Sequence, residues 1–359
     1  MGAKRLKAVT LSLLLMLVLL PCLFSQEETQ EAVYKKAIYY VMMDSKSGYQ
    51  IGIMDDNGRN KRILTGEGNN WCPSVSPQGD RVAFYSDRSG YANLYIMYAN
   101  GAGQKPLTHD SENITDMDLF NRGQIAWEKE GEEIYFLKKG DVWKVYPNGD
   151  NPTALTTTHG INMFRLSPDG NRIVFSREYT KKHCGMWSMQ AKGTSLRQIV
   201  ASEIISPAFD WGDDNVFAYF HNRGIFSMTY VGVEKKFITD NYYPDNDIAW
   251  AKSSPDRRSN LIAFISAENN GPNIWLMKHD GTEKRQLTDR GGFSPYWLPD
   301  GTSLLYVEQN DIYRINSASG EKARLTYFFK SYYPVYAEIK LAAQQQTAQK
   351  DGEKDAAKK

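Results

Sequence analysis

The sequence contains few cysteines for its length. Of three cysteines in 359 residues, Cys22 lies in an apolar N-terminal segment, which leaves only Cys72 and Cys184 for the rest of the chain. Two cysteines in so long a chain are not the pattern of a disulfide-stapled scaffold. We therefore expect the fold to be stabilised by a hydrophobic core.

An excess of either charge is also lacking. The chain has 43 basic and 42 acidic residues, whereas nucleic-acid-binding domains carry a basic footprint. The balance predicts that nucleic acid is not a partner. No amphipathic helical pattern follows residue 25, which argues against a helical domain.

Long apolar runs are confined to the N-terminus. Lys4, Arg5 and Lys7 precede an apolar run over residues 11–20, which Pro21 ends, and Ser25 is a small residue suited to cleavage. The run is short for a membrane span of about 20 residues. Residues 1–25 are therefore interpreted as a signal peptide for export across an inner membrane. The mature chain is expected to be periplasmic and monomeric, without a transmembrane span; the alternative is a lipid anchor on Cys22.

A repeated unit dominates the remaining sequence. Aromatic residues make up 13% of the chain, with 22 Tyr and 8 Trp, and such richness favours β-strands. Seven similar strand ends recur every 38–49 residues, close to the roughly 40–50 residues of a propeller blade. They are Leu64–Thr65, Leu107–Thr108, Leu155–Thr156, Ile199–Val200, Ile238–Thr239, Leu287–Thr288 and Leu325–Thr326.

Each unit has a turn and apolar strands of its own. The clearest turns begin at Ser76, Ser167 and Leu298, each with Pro second and Gly fourth, as tight turns require. The strands that follow are apolar on both faces, which suits a blade sandwiched between two others. The repeats predict an all-β, seven-bladed propeller of four-stranded antiparallel blades, with six blades as the alternative.

The two ends of the array predict how the ring closes. The first unit lacks its opening strand, and residues 332–339 form an opening strand without successors. Pairing these two segments would complete the seventh blade and leave no long free edge. The predicted domains are the signal peptide (1–25), a short lead (26–36), the propeller (37–340) and a polar disordered tail (341–359).

The repeat resembles the propeller repeat of TolB and its relatives. The resemblance is clearest over residues 71–108 and 273–288, where the Pro-Gly turn, the apolar strand and the Leu-Thr end occur together. It implies a periplasmic propeller that contacts other envelope proteins, such as a peptidoglycan-associated lipoprotein. TolB has a separate α/β domain before a six-bladed propeller, whereas here only about ten residues are expected between the signal peptide and the first strand. The same repeat occurs in prolyl-oligopeptidase-like peptidases and oligogalacturonate lyases.

The connections that precede each innermost strand are the candidate partner-binding sites. They should surround one mouth of the central channel, and aromatic side chains are enriched in interface hot spots. An alternative is that these aromatic side chains pack between blades. The candidates are Asn70, Trp71, Phe164, Tyr242, Tyr243, Phe293, Tyr332 and Tyr333.

Catalysis is not the favoured interpretation. The sequence has no Gly-x-Ser-x-Gly elbow of an α/β-hydrolase. The histidines are isolated, without the spacing typical of zinc sites. We therefore predict a non-catalytic binding protein without catalytic residues, metal or other cofactor. The alternative is a metal-dependent lyase, or another glycan-acting enzyme, with ligands such as His109, His159, His183 and His221 at the channel mouth.

Overall fold

The protein is an all-β ring of seven four-stranded blades, as the repeats predict. A computed structural model describes residues 34–111, 125–180, 183–203, 208–212, 216–221, 224–240, 247–251, 260–269, 271–327 and 330–340. Within these ranges every element is a β-strand, and neighbouring strands of a blade pair antiparallel. No helix in the described part of the chain could cross a membrane.

Blade 1 combines strands from both ends of the domain, and blades 2 and 3 follow it along the chain. Blade 1 comprises β28 (Ser331–Lys340), β1 (Tyr34–Asp44), β2 (Gly48–Asp55) and β3 (Arg62–Ile63). Blade 2 comprises β4 (Asn70–Val75), β5 (Arg81–Ser86), β6 (Asn93–Tyr98) and β7 (Lys105–Pro106). Blade 3 comprises β8 (Ile125–Trp127), β9 (Ile134–Lys138), β10 (Asp141–Val145) and β11 (Thr153–Ala154).

The remaining blades follow one another along the chain. Blade 4 comprises β12 (Ile161–Leu166), β13 (Arg172–Thr180), β14 (His183–Gln190) and β15 (Arg197–Glu203). Blade 5 comprises β16 (Phe209–Trp211), β17 (Val216–His221), β18 (Gly224–Thr229) and β19 (Lys236–Asp240). Blade 6 comprises β20 (Ile248–Trp250), β21 (Leu261–Ser266), β22 (Asn273–Lys278) and β23 (Arg285–Gln286). Blade 7 comprises β24 (Phe293–Trp297), β25 (Ser303–Glu308), β26 (Asp311–Asn316) and β27 (Lys322–Arg324).

The predicted closure is confirmed. Strand β28 pairs antiparallel with β1, from Tyr34 opposite Lys340 to Met42 opposite Ser331. It therefore takes the innermost place in blade 1, as β4, β8, β12, β16, β20 and β24 do in their own blades. The propeller begins at Tyr34, three residues before the predicted boundary, and its last strand ends at Lys340.

The threonine of the Leu-Thr ending ties the outer strand to the strand beside it. In blade 7, Thr326 Oγ1 donates a hydrogen bond to Asp311 Oδ1 (2.8 Å) and accepts one from the Ile312 amide (2.9 Å). The same arrangement recurs in blades 1, 2, 3 and 6, through Thr65, Thr108, Thr156 and Thr288. Gly185 and Gly224 stand at the Asp311 position in blades 4 and 5, so these blades lack the side-chain acceptor.

The leucine of the same ending packs against the next blade. Six interfaces place it, or the isoleucine that replaces it, against a glycine in the neighbouring hairpin turn. The pairs are Leu64 with Gly101, Leu107 with Gly149, Leu155 with Gly193, Ile199 with Gly232, Ile238 with Gly281 and Leu325 with Gly58. The ending is therefore a two-part element that holds one blade together and joins it to the next.

Tryptophans at the ends of the innermost strands provide a second interblade link. Trp127, Trp211 and Trp297 each donate an indole hydrogen bond to a backbone carbonyl in the preceding blade, at 3.0, 3.3 and 3.0 Å. Large rings with one polar atom suit such a position, because they fill the interface and satisfy a buried carbonyl.

Candidate functional site: the channel and its mouth

The innermost strands surround a central channel. Its cavity has a volume of about 570 Å³, within the usual range for ligand pockets. Each blade contributes at least one lining residue at or beside its innermost strand: Cys72, Ala126, Arg165, Asp210, Asp247, Ser294 and Tyr333. We call the face at which these strands begin the mouth face.

Bulges in three innermost strands direct side chains to the channel. Cys72, Ser294 and Tyr333 each precede a proline and have left-handed backbone angles, with φ of 52°, 51° and 49°. Strand pairing shifts register at each of these positions. A β-bulge adds a residue to one strand and re-aims its side chain, and all three residues line the cavity.

The carboxylates of the channel connect neighbouring blades. Asp210 Oδ2 accepts a hydrogen bond from the Trp250 amide at 2.9 Å, which joins blade 5 to blade 6. Ser294 Oγ donates to Asp247 Oδ2 at 3.5 Å, which joins blade 7 to blade 6. Burial, with a smaller contribution from the charge of Asp210, raises the pKa of Tyr296 to about 12, so its hydroxyl is neutral at physiological pH.

Three of the predicted partner-binding residues lie inside the blades. Asn70 is buried, donates to Gln50 Oε1 at 3.0 Å and accepts from Arg88 at 2.7 Å. Trp71 is buried and stacks with Tyr85 at a centroid distance of 6.2 Å. Phe164 is also buried. The side chains of Trp71 and Phe164 pack in the interior, as the alternative interpretation of the aromatic candidates expects.

Three others lie at the mouth. Phe293 is 41% exposed, and Tyr332 and Tyr333 are half-buried with ring centroids 6.4 Å apart. Tyr333 packs with Tyr49 and Cys72 against an apolar cluster that lies mainly between blades 2 and 3 and includes Val41 of blade 1. Burial raises the pKa of Tyr332, with smaller contributions from Tyr49 and Asp311. Tyr242 and Tyr243 lie outside the described residues.

Some lining residues were missed by the sequence reasoning. Cys72 and Ser294 occupy the position of Tyr333 in their own blades, and the signal that identifies them is the recurring aromatic-x-Pro pattern. Arg165, Asp210 and Asp247 have no comparable signal, because acidic and basic residues are frequent in all the connections.

The histidines do not form a metal site in the described part of the chain. His159 Nδ1 lies 2.7 Å from Asp141 Oδ2, and its side chain is 77% exposed. His221 is buried. Among the described residues, no group of three or more His, Cys, Asp or Glu side chains is arranged to hold a metal ion.

The fold matches propellers of several functions. TolB from Acinetobacter baumannii aligns with a TM-score of 0.50 and 15% identity, over 69% of this chain and 62% of that one. An oligogalacturonate lyase in complex with manganese aligns with a TM-score of 0.55 and 14% identity, over 82% and 85% of the two chains. A prolyl endopeptidase aligns with a TM-score of 0.57 and 11% identity, over 86% and 51%.

These similarities establish the fold. The chain folds as a TolB-like propeller, and the alignment spans less than two thirds of the length of the TolB chain. No protein-family model matches the sequence, and no curated protein matches it. One fold supports many functions, so function has to be argued from the site.

Proposed function

We propose that the protein is an exported, periplasmic β-propeller that binds another macromolecule of the cell envelope at its mouth face, without catalysing a reaction. The observation that carries this proposal is the aromatic surface formed by Phe293, Tyr332 and Tyr333 beside the channel. Aromatic side chains that are partly exposed and held by neighbouring packing are typical of binding hot spots.

The proposed partner is an envelope protein, with a peptidoglycan-associated lipoprotein as the first choice. This choice rests on the likeness of the repeat to that of TolB. The protein itself is proposed to be a monomer. The two terminal strands pair within one chain, and the outer strands of most blades are short, so little strand edge is left for pairing with a second chain.

Binding to a purified peptidoglycan-associated lipoprotein, measured by calorimetry, tests the proposal. Combined Phe293→Ala and Tyr332→Ala substitutions should weaken binding at least about tenfold, since hot-spot truncations cost more than about 1–2 kcal/mol. Tyr146→Ala is the matched control, because Tyr146 is 38% exposed in a hairpin turn on the opposite face. Equal affinity of the double variant and the wild type would refute the mouth as the binding surface.

The second candidate function is a metal-dependent lyase or other glycan-acting enzyme. The channel favours it, since a cavity of about 570 Å³ with Arg165, Asp210 and Asp247 in its wall could accept a polar ligand. Turnover of oligogalacturonate or another glycan that requires added manganese, and is lost on Asp247→Asn substitution, would support the enzyme over the binding protein.

A further inference from the structure

A second cavity lies between blades 2 and 3, on the face opposite the mouth. Its volume is about 620 Å³. We call it the interblade groove and define it by Asp80, Arg81, Tyr98, Lys105, Trp127 and Glu130. None of these residues belongs to the channel, so the groove is separate from the proposed partner-binding surface.

Hydrogen bonds between the two blades fix the walls of the groove. Near the axis, Gln78 Nε2 donates to the Glu130 carbonyl at 2.6 Å. Near the rim, Lys105 Nζ donates to the Asn148 carbonyl at 3.3 Å. Each bond joins blade 2 to blade 3, so the separation of the walls is set before any ligand binds, which reduces the entropic cost of binding.

The groove exposes a tryptophan that other blades bury. Trp211, Trp250 and Trp297 occupy the position of Trp127 in their own blades and are only 1%, 5% and 9% exposed. Trp127 is half-buried and lines the groove. Its indole nitrogen donates to the Ser74 carbonyl at 3.0 Å, so the ring is held in place.

A second aromatic ring lies in the same cavity. Tyr98 is 49% exposed, and the Arg81 guanidinium carbon lies 4.2 Å from its ring centroid. Arg81 also pairs with Asp80 at 2.8 Å. The groove therefore combines two oriented aromatic rings with a guanidinium and a carboxylate that are themselves fixed by contacts.

The charges of the groove are balanced. Arg81 and Lys105 face two carboxylates, Asp80 and Glu130, so neither an anion nor a cation gains a net electrostatic advantage. The side chains still offer hydrogen-bond donors and acceptors, five donors from the guanidinium alone. This chemistry favours a neutral ligand rich in hydroxyl groups that also has an apolar surface.

We propose that the interblade groove is a binding site for a neutral oligosaccharide. A pyranose ring has a C–H face that can pack on Trp127 or Tyr98, and its hydroxyls can bond to Asp80, Arg81, Lys105 and Glu130. The cavity volume is within the range of about 300–1,000 Å³ typical of small-ligand sites. The proposal does not depend on the function of the mouth.

Fluorine NMR of the full chain labelled with fluorotryptophan tests the site. The Trp127 signal is assigned by its loss in Trp127→Phe, and the probes are triacetylchitotriose and maltotriose. At millimolar concentration, at least one of these neutral sugars should shift the Trp127 signal. Tyr98→Ala and Arg81→Gln should each raise the Kd about tenfold, which corresponds to about 1.4 kcal/mol.

Tyr146→Ala is the matched control for Tyr98→Ala. Tyr146 occupies the equivalent position at the end of the third strand of blade 3, outside the groove, and is 38% exposed. Its substitution should leave the Kd unchanged. The proposal is overturned if neither sugar shifts the Trp127 signal, if the Tyr98 and Arg81 variants bind like the wild type while folded, or if inorganic phosphate alone produces the shift.

Discussion

At the scale of single residues, the repeat is conspicuous in the sequence but its physical basis is not. The Leu-Thr endings predict where blades end, because they recur at blade-length intervals. The hydrogen bond from Thr326 to Asp311 could not be predicted, since it joins residues 15 positions apart whose register only the folded blade sets. The same holds for Asn70 and Phe164, which were predicted to face a partner and are buried.

The two hydrogen bonds of the Thr326 hydroxyl, to Asp311 and from the Ile312 amide, should stabilise the fold. Thr326→Val keeps the shape of the side chain but leaves Asp311 Oδ1 and the Ile312 amide without the hydroxyl that bonds both. Loss of such a buried partner costs about 1–3 kcal/mol. Urea unfolding should therefore show Thr326→Val to be destabilised by that amount.

The control for this prediction is Thr239→Val in blade 5. Gly224 stands at the Asp311 position there, so Thr239 has no side-chain acceptor in the neighbouring strand. Its half-buried hydroxyl makes only two long hydrogen bonds of 3.3 Å, one to the Asp240 carbonyl and one from Lys284 Nζ. Its substitution should change the free energy of unfolding by less than about 0.5 kcal/mol. An equal loss of unfolding free energy in the two variants would show that the hydrogen bonds of Thr326 make no specific contribution to stability.

At the scale of strands and turns, sequence reasoning identified the elements but not their irregularities. The apolar runs predicted the strands, and the missing opening strand of blade 1 predicted β28. The bulges at Cys72, Ser294 and Tyr333 were not predicted, although proline marks all three. A bulge depends on the register of two strands, which single-strand patterns do not contain.

The turn at Gly79 is packed against the closing strand. Its φ is +69°, and a Cβ there would lie 1.8 Å from the Glu338 carbonyl oxygen of β28. Gly79→Ala should lower the free energy of unfolding by about 1–2 kcal/mol because of the left-handed backbone, and by about 1–3 kcal/mol more because of the steric overlap. Thermal melts followed by circular dichroism measure the combined loss.

Gly320→Ala separates these two contributions. Gly320 has a φ of +72° and no atom within 4 Å of its ideal Cβ position, so only the backbone cost applies. A melting temperature for Gly79→Ala equal to that of Gly320→Ala would mean that the turn does not press on β28. A melting temperature of Gly79→Ala below that of Gly320→Ala supports the close contact between the Gly79 turn and strand β28.

At the scale of the whole molecule, buried tyrosines are distributed around the ring. Burial raises the pKa of Tyr40 to about 12 and, more strongly, that of Tyr219 and Tyr306. These groups keep their protons in the folded state above pH 10, where the unfolded chain loses them. The contribution of these tyrosines to the free energy of unfolding is therefore fully present below about pH 10. It should be lost as the pH rises from there towards 12 and beyond.

Urea midpoints measured at several alkaline pH values check this pH dependence. The Tyr40→Phe variant, which has no proton to lose at that position, should show a shallower decline above pH 10. A decline that begins well below pH 10, or an identical slope in the variant, would contradict the assignment to buried tyrosines.

Site-specific photo-crosslinking in the native envelope shows whether the mouth face binds an envelope macromolecule. A photoreactive phenylalanine replaces Phe293 or Tyr332 at the mouth, and Tyr146 or Val233 in exposed turns of the opposite face. Mass spectrometry should find the same envelope macromolecule linked to both mouth positions and to neither opposite position. Crosslinks to that macromolecule from the Tyr146 and Val233 positions alone would refute the mouth face as the binding surface.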